Sequence, residues 1–298
     1  MQGVDDTRRG ALYGASSYAL WGLFPLYWPL LRPASDGAVL AHRMVWSLVV
    51  MAVVLSVSGS WRAFGRLLAD RGRVARLALA ATLLSVNWGT YIYGVDTGHV
   101  VETSLGYFIN PIFTVLLGVL VLRERLRPAQ WVAVGVAVVA VCVLTVQAGR
   151  PPWIALVLAV SFGGYGLLKK TVRVPAVEGF AVETAVLAPV AAAYLALSGG
   201  GTLAGHGAGH ALLLASTGLV TTVPLLMFAG AARRLPLYAL GVLQYIAPTM
   251  QFLIGVAVRH EPLPLLRMLG FALVWAGLAV FTTDLVRARR RAAPVAAV

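Results

Sequence analysis

LGYFINPIFTVLLGVLVLRERLRP, residues 105–128, is apolar enough to cross a membrane as a helix, yet it carries Asn110 and Pro111 inside it and stops at Arg123-Glu124-Arg125. Proline removes a backbone donor and bends a helix, and a lone amide in hydrocarbon is costly. The pattern is not unique in the chain. Shifted by 137 residues, Pro111, Gly118 and Glu124 fall on Pro248, Gly255 and Glu261, a shared P-x6-G-x5-E. A second correspondence sets SYALWGLF (17–24) against SFGGYGLL (161–168), with Ser17 on Ser161, Trp21 on Tyr165 and Gly22 on Gly166.

The 298 residues are 59% hydrophobic and only 12% charged, where a soluble chain carries about a quarter charged residues. The apolar residues fall in blocks of about 20, the length that spans a bilayer as a helix whose backbone satisfies its own hydrogen bonds. The expected fold is all-α and membrane-integral. Ten spans are expected, at 11–31, 38–58, 75–95, 102–122, 129–147, 152–169, 179–198, 211–231, 238–258 and 265–284. The first is too long for the core of a signal peptide and lacks a small-residue cleavage site.

The net charge of +13 is distributed by side. Taking the N-terminus and every second loop together gives 19 Lys and Arg, against 3 in the opposite loops, with Arg43 and Arg267 inside spans. The positive-inside rule places both termini in the cytoplasm of a plasma-membrane protein. The tail RARRR (287–291) then reads as a topology anchor and lipid contact rather than a nucleic-acid arm. The single cysteine, Cys142, excludes an internal disulfide and is expected to pack in the core.

Five spans per half force the halves into opposite orientations. The expected organisation is two inverted five-helix repeats, residues 1–150 and 151–285, followed by the basic tail 286–298. Secondary transporters use this layout, with the substrate site at mid-membrane where interrupted helices meet. The interruptions expected here are Gly22 with Pro25, the glycines 163, 164 and 166 of a short sixth helix, Asn110-Pro111, and Pro248 with Gln244 one turn earlier. Pro25, Pro111 and Pro248 are the expected hinges. A broken helix is tolerable where its freed carbonyls face a cavity.

No residue set for covalent catalysis, cofactor or metal binding stands out in the sequence. His206-x3-His210 lies in GGGTLAGHGAGH, too glycine-rich to be expected as a helix. Ionisable residues within spans are functional hypotheses by default. Arg43 either holds a substrate anion or snorkels to headgroups, and Glu183 is the expected ion-coupling carboxylate. Glu102 stands at a helix start, where capping explains it and ion coupling is the second reading. Trp21, Asn87, Tyr91, Tyr107, Asn110, Tyr165 and Gln244 supply ring faces and hydrogen-bonding groups for a cavity suited to amphipathic or aromatic metabolites. Trp28, Trp61, Trp131 and Trp153 sit at span ends as an interfacial belt would. Glu124 and Glu261 are expected to close tight turns.

HRMVWS (42–47), NWGTYIYGV (87–95), ETSLGYFINPIFTVLLGVLVLRERL (102–126), SFGGYGLLKK (161–170) and VETAVLAP (182–189) together resemble the RarD group of the EamA family of drug/metabolite transporters. The resemblance runs from about residue 10 to 284. It implies a ten-helix inverted repeat in which helices 1–4 and 6–9 surround a cavity and 5 and 10 pack outside. It also implies a plasma-membrane carrier, often a proton-linked exporter. The group's name refers to chloramphenicol sensitivity. Pro262 and Pro264, just after Glu261, depart from the family's second-half motif.

The reading is a secondary-active exporter of a small metabolite or drug, working by alternating access. Its expected partners are the solute, membrane lipid and a proton or other coupling ion, with self-association left open and no nucleic acid. A passive channel, a non-transporting sensor and a membrane-embedded lipid enzyme are the rival readings.

Overall fold

The computed structural model describes residues 2–97, 100–148, 153–198 and 207–258, with single positions between 269 and 284. The expected tenth span lies largely outside the described residues, as do His99, His206, Glu261, Pro262, Pro264, Arg267, the basic tail and the side chains of Asp96 and Glu102.

The described chain is helical throughout. α1 (Gln2–Gly22), α2 (Phe24–Tyr27) and a 3-10 turn (Trp28–Leu31) lead to α3 (Asp36–Val57), α4 (Trp61–Ala69), α5 (Arg71–Asp96) and α6 (Val100–Leu120). α7 (Pro128–Ala148), α8 (Trp153–Thr171), α9 (Ala176–Leu197), α10 (Gly207–Arg234), α11 (Leu237–Leu243) and α12 (Ile246–Ala257) follow. Among the described residues, α3, α8, α9 and α10 are each long and apolar enough to cross a membrane. Local chemistry fixes several ends. Ser35 Oγ accepts the Ala38 amide at 3.3 Å and Asp36 sits in the first turn of α3, both favourable at the positive end of a helix.

α4 lies in the connection between the second and third expected spans. It is a surface helix whose Leu67 packs with Leu77, Val172, Val174 and Val182 while Arg62 and Arg66 face out. α8 runs unbroken through Gly163, Gly164 and Gly166. Its glycines serve close packing instead: a Cβ on Gly163 would lie 2.6 Å from the Phe113 ring. α10 already begins at Gly207, so His210 lies in its first turn and is buried. Cys142 is exposed on α7 rather than packed in the core.

Packing partners occur in exchangeable pairs. α6 lies on α8 as α12 lies on α1; α1 lies on α10 as α8 lies on α5; α3 lies on α10 as α9 lies on α5. α3 also meets α9, and α6 meets α11. Two crossings are very close. A Cβ on Gly218 would stand 2.5 Å from the Trp46 carbonyl carbon, and one on Gly241 2.8 Å from the Pro111 oxygen. The buried core gathers Tyr18, Tyr165, Phe180, Leu225, Phe228, Leu237 and Leu240.

Candidate functional site

Pro25 shapes the first wall of the site. It cannot donate to the carbonyl of Trp21, and α1 gives way to α2 at Leu23. The freed Trp21 oxygen accepts the Gln251 Nε2–H of α12 at 3.2 Å. The bend carries Phe24 and Trp28 inward, where they join a cavity of about 510 Å³. Exposed Arg32 and Asp36 line it at its mouth, and Tyr18, Phe162, Leu225, Gln244 and Ala247 line it deeper in the fold.

Arg43 reaches this cavity from α3 and is only 8% exposed. Its Nε–H donates to Thr221 Oγ1 at 3.0 Å. Its guanidinium carbon lies 4.2 Å from the Trp88 ring centroid, 4.9 Å from Trp28 and 5.8 Å from Phe24. Ring faces attract a cation, so the cage holds the group in a dry place without neutralising it. Among the described residues no carboxylate lies within ion-pair distance of Arg43. A caged guanidinium with donors to spare is suited to a planar anion such as a carboxylate.

Most of the expected lining is brought together. Trp21, Arg43, Asn87, Tyr91, Tyr107, Asn110 and Gln244 line the cavity, with Pro25 and Pro248. Asn87 also ties α5 to α8, its Nδ2 donating to Leu158 O at 2.9 Å and Ser161 Oγ at 3.1 Å. Tyr91 and Tyr107 meet edge to face at 5.9 Å. Gln244 Nε2 donates to Thr114 Oγ1 at 2.9 Å. Among the described residues the buried oxygen Asn110 Oδ1 has no hydrogen-bond partner, an arrangement buried polar atoms rarely keep.

Several expected residues sit elsewhere. Pro111 does not line the cavity; it is buried against Gly241 of α11, while α6 continues through it. The helix that does break is the one carrying Gln244, between α11 and α12. Tyr165 is fully buried, stacked on Phe228 at 5.7 Å, and its hydroxyl donates to Glu183 Oε2 at 3.2 Å. Glu183 also lies outside the lining and accepts Lys169 Nζ–H at 2.6 Å. Trp28, expected in an interfacial belt, belongs to the Arg43 cage, whereas Trp61, Trp131 and Trp153 are about half exposed, as belt residues would be.

Sequence reasoning missed Lys169, Thr221, Phe24 and Gln251. Lys169 reads as the basic flank of a span, although it stands four residues after Tyr165, one helical turn along the same face. Thr221, Phe24 and Gln251 carry no signal of their own, because their roles exist only across helix contacts.

Residues 8–146 match the EamA-like transporter family. The RarD protein of Streptomyces exfoliatus is 53% identical over 98% of this chain and 93% of its own length. An uncharacterized transporter of Bacillus subtilis, YojE, is 45% identical over 96% of this chain and 97% of its own. A solved crystal structure of a protein at 20% identity superimposes with a TM-score of 0.69, covering 91% of this chain and 96% of that one, a likeness of fold. With matches along nearly its whole length, the chain belongs to the EamA-like transporter family, among its RarD members, and is a membrane transporter.

Proposed function

We propose that the protein is a secondary-active carrier that exports a small amphipathic or aromatic anion across the plasma membrane by alternating access. The observation that carries this reading is Arg43, a cation caged by aromatic rings in the wall of the cavity with no carboxylate at ion-pair distance among the described residues. A buried charge without a partner is expensive, and an arriving anion supplies the partner. Asn110, whose buried oxygen has no partner among the described residues, offers an acceptor to a donor on the same solute.

The ten-span inverted repeat, with both termini cytoplasmic, remains part of the proposal. The exchangeable packing pairs support it, because a pseudo-two-fold axis between the halves generates such pairs. On this reading the mouth at Arg32 and Asp36 faces outward. Glu183 with Lys169 is the ion-coupling pair beneath the cavity, and Glu102 is retained as the second coupling residue. Proteoliposome uptake of a panel of aromatic carboxylates under an imposed pH gradient tests this. Accumulation that Arg43→Met abolishes is expected. Solute that only equilibrates points to a channel.

A further inference from the structure

The P-x6-G-x5-E motif closes more than its own turn. Glu124 follows α6, yet its carboxylate receives the two amides that open α11: Leu237 N–H on Oε1 at 2.8 Å and Tyr238 N–H on Oε2 at 3.1 Å. α11 has no cap of its own, because Pro236 precedes it with neither an amide hydrogen nor a capping side chain. A carboxylate that accepts two amides at a helix start is strengthened by its charge and by the helix dipole.

Gly118 and Glu124 of the motif both serve this contact. Arg123 takes a φ of 55°, and the Glu124 amide donates to Gly118 O at 3.0 Å, so the side chain folds back over α6. A Cβ on Gly118 would sit 2.7 Å from Glu124 Oε2 and 3.1 Å from Leu237 Cβ. Only glycine leaves room for the carboxylate there. Lys170 braces the same corner from α8, donating to Leu235 O at 2.6 Å with its Nζ 3.9 Å from Glu124 Oε1. None of Glu124, Lys170, Leu235 or Leu237 lines the cavity, while Gln244, directly after the seven-residue α11, does. The buried side chains of Phe228, Leu237 and Leu240 belong to one core cluster.

We infer that Glu124 is a positioning residue and a latch: its grip on α11 closes the end of the carrier opposite the mouth, and releasing the two amides opens it. This rests on the alternating-access reading. The test uses the full chain with Cys142→Ser and Ala247→Cys, the latter a small lining position. A charged, membrane-impermeant methanethiosulfonate is added from either face, in spheroplasts and in inverted vesicles.

Glu124→Gln keeps the shape but loses the charge and one acceptor. It should raise the ratio of opposite-face to mouth-face labelling about tenfold, as expected for one lost charge-assisted hydrogen bond. Gly118→Ala, which keeps the carboxylate but displaces it, should shift the ratio the same way, and Lys170→Gln less so. Those two carry the test should Glu124→Gln not fold, and a merely structural loss would lower both labelling rates together. A ratio unchanged in the folded variants, or moved towards the mouth, overturns the latch. If the parent protein is never labelled from the opposite face, alternating access falls and the latch with it. If it is labelled from both faces but the variants leave the ratio unmoved, only the latch falls.

Discussion

Glu183→Gln should be among the most damaging single substitutions in this chain. The native carboxylate lies 2.6 Å from Lys169 Nζ, with side chains 1% and 5% exposed. Replacing it with an amide leaves the ammonium buried with no counter-charge, and breaking a buried pair from one side costs about 3–5 kcal/mol. Lys169→Met should cost a similar amount by stranding the carboxylate, which among the described residues keeps only the Tyr165 hydroxyl at 3.2 Å. The double variant leaves no buried charge, and removing both members of such a pair is often neutral or better. It should therefore unfold within about 2 kcal/mol of the parent. Unfolding in mixed micelles, followed by tryptophan fluorescence, measures all three. A loss below about 1 kcal/mol for Glu183→Gln, or additive losses in the double variant, would refute the reasoning. The stable double variant then asks whether the pair couples ions: pH-driven accumulation should be lost while solute binding survives. Unchanged pH dependence removes Glu183 from the coupling step.

Arg43→Met should weaken binding of an aromatic carboxylate by at least about tenfold in equilibrium dialysis, since hydrogen bonds to a charged group contribute about 1.5–3 kcal/mol. Arg43→Lys should recover only part, because an ammonium lacks the fork and the flat face that lies on Trp88. Gly218→Ala should destabilise by about 1–3 kcal/mol, as its Cβ would meet the Trp46 backbone at 2.5 Å, whereas Gly166→Ala, 3.5 Å from Phe228, should be tolerated. Gln251→Leu leaves the Trp21 carbonyl without its side-chain donor and should cost about 1–3 kcal/mol in the same unfolding assay.

The positions of most helices were legible because bilayer thickness imposes a length on apolar runs. The cavity residues were legible for a related reason. Polar and aromatic groups such as Asn87, Asn110 and Gln244 are costly against lipid, so they turn to the interior. What stayed hidden depends on partners distant in sequence. Lys169 resembles any basic flank until Glu183 is placed beside it, and Glu124 resembles a turn residue until α11, 113 residues later, arrives at its carboxylate. Proline misled in one case. Pro111 was expected to interrupt its helix at the cavity, but α6 continues through it against Gly241, whereas the interruption expected at Gln244 and Pro248 falls between α11 and α12. Glycine misled in another, since in α8 it marks close helix contact rather than interruption.

The most direct measurement is counterflow in proteoliposomes preloaded with an unlabelled aromatic carboxylate that the purified protein binds. A carrier with one site open to each side in turn gives a transient inward overshoot of labelled solute above its outside concentration, and Arg43→Met should erase it. Labelled solute that rises only to the outside concentration, or an overshoot that persists without Arg43, would contradict a caged guanidinium as the substrate anchor of an alternating carrier.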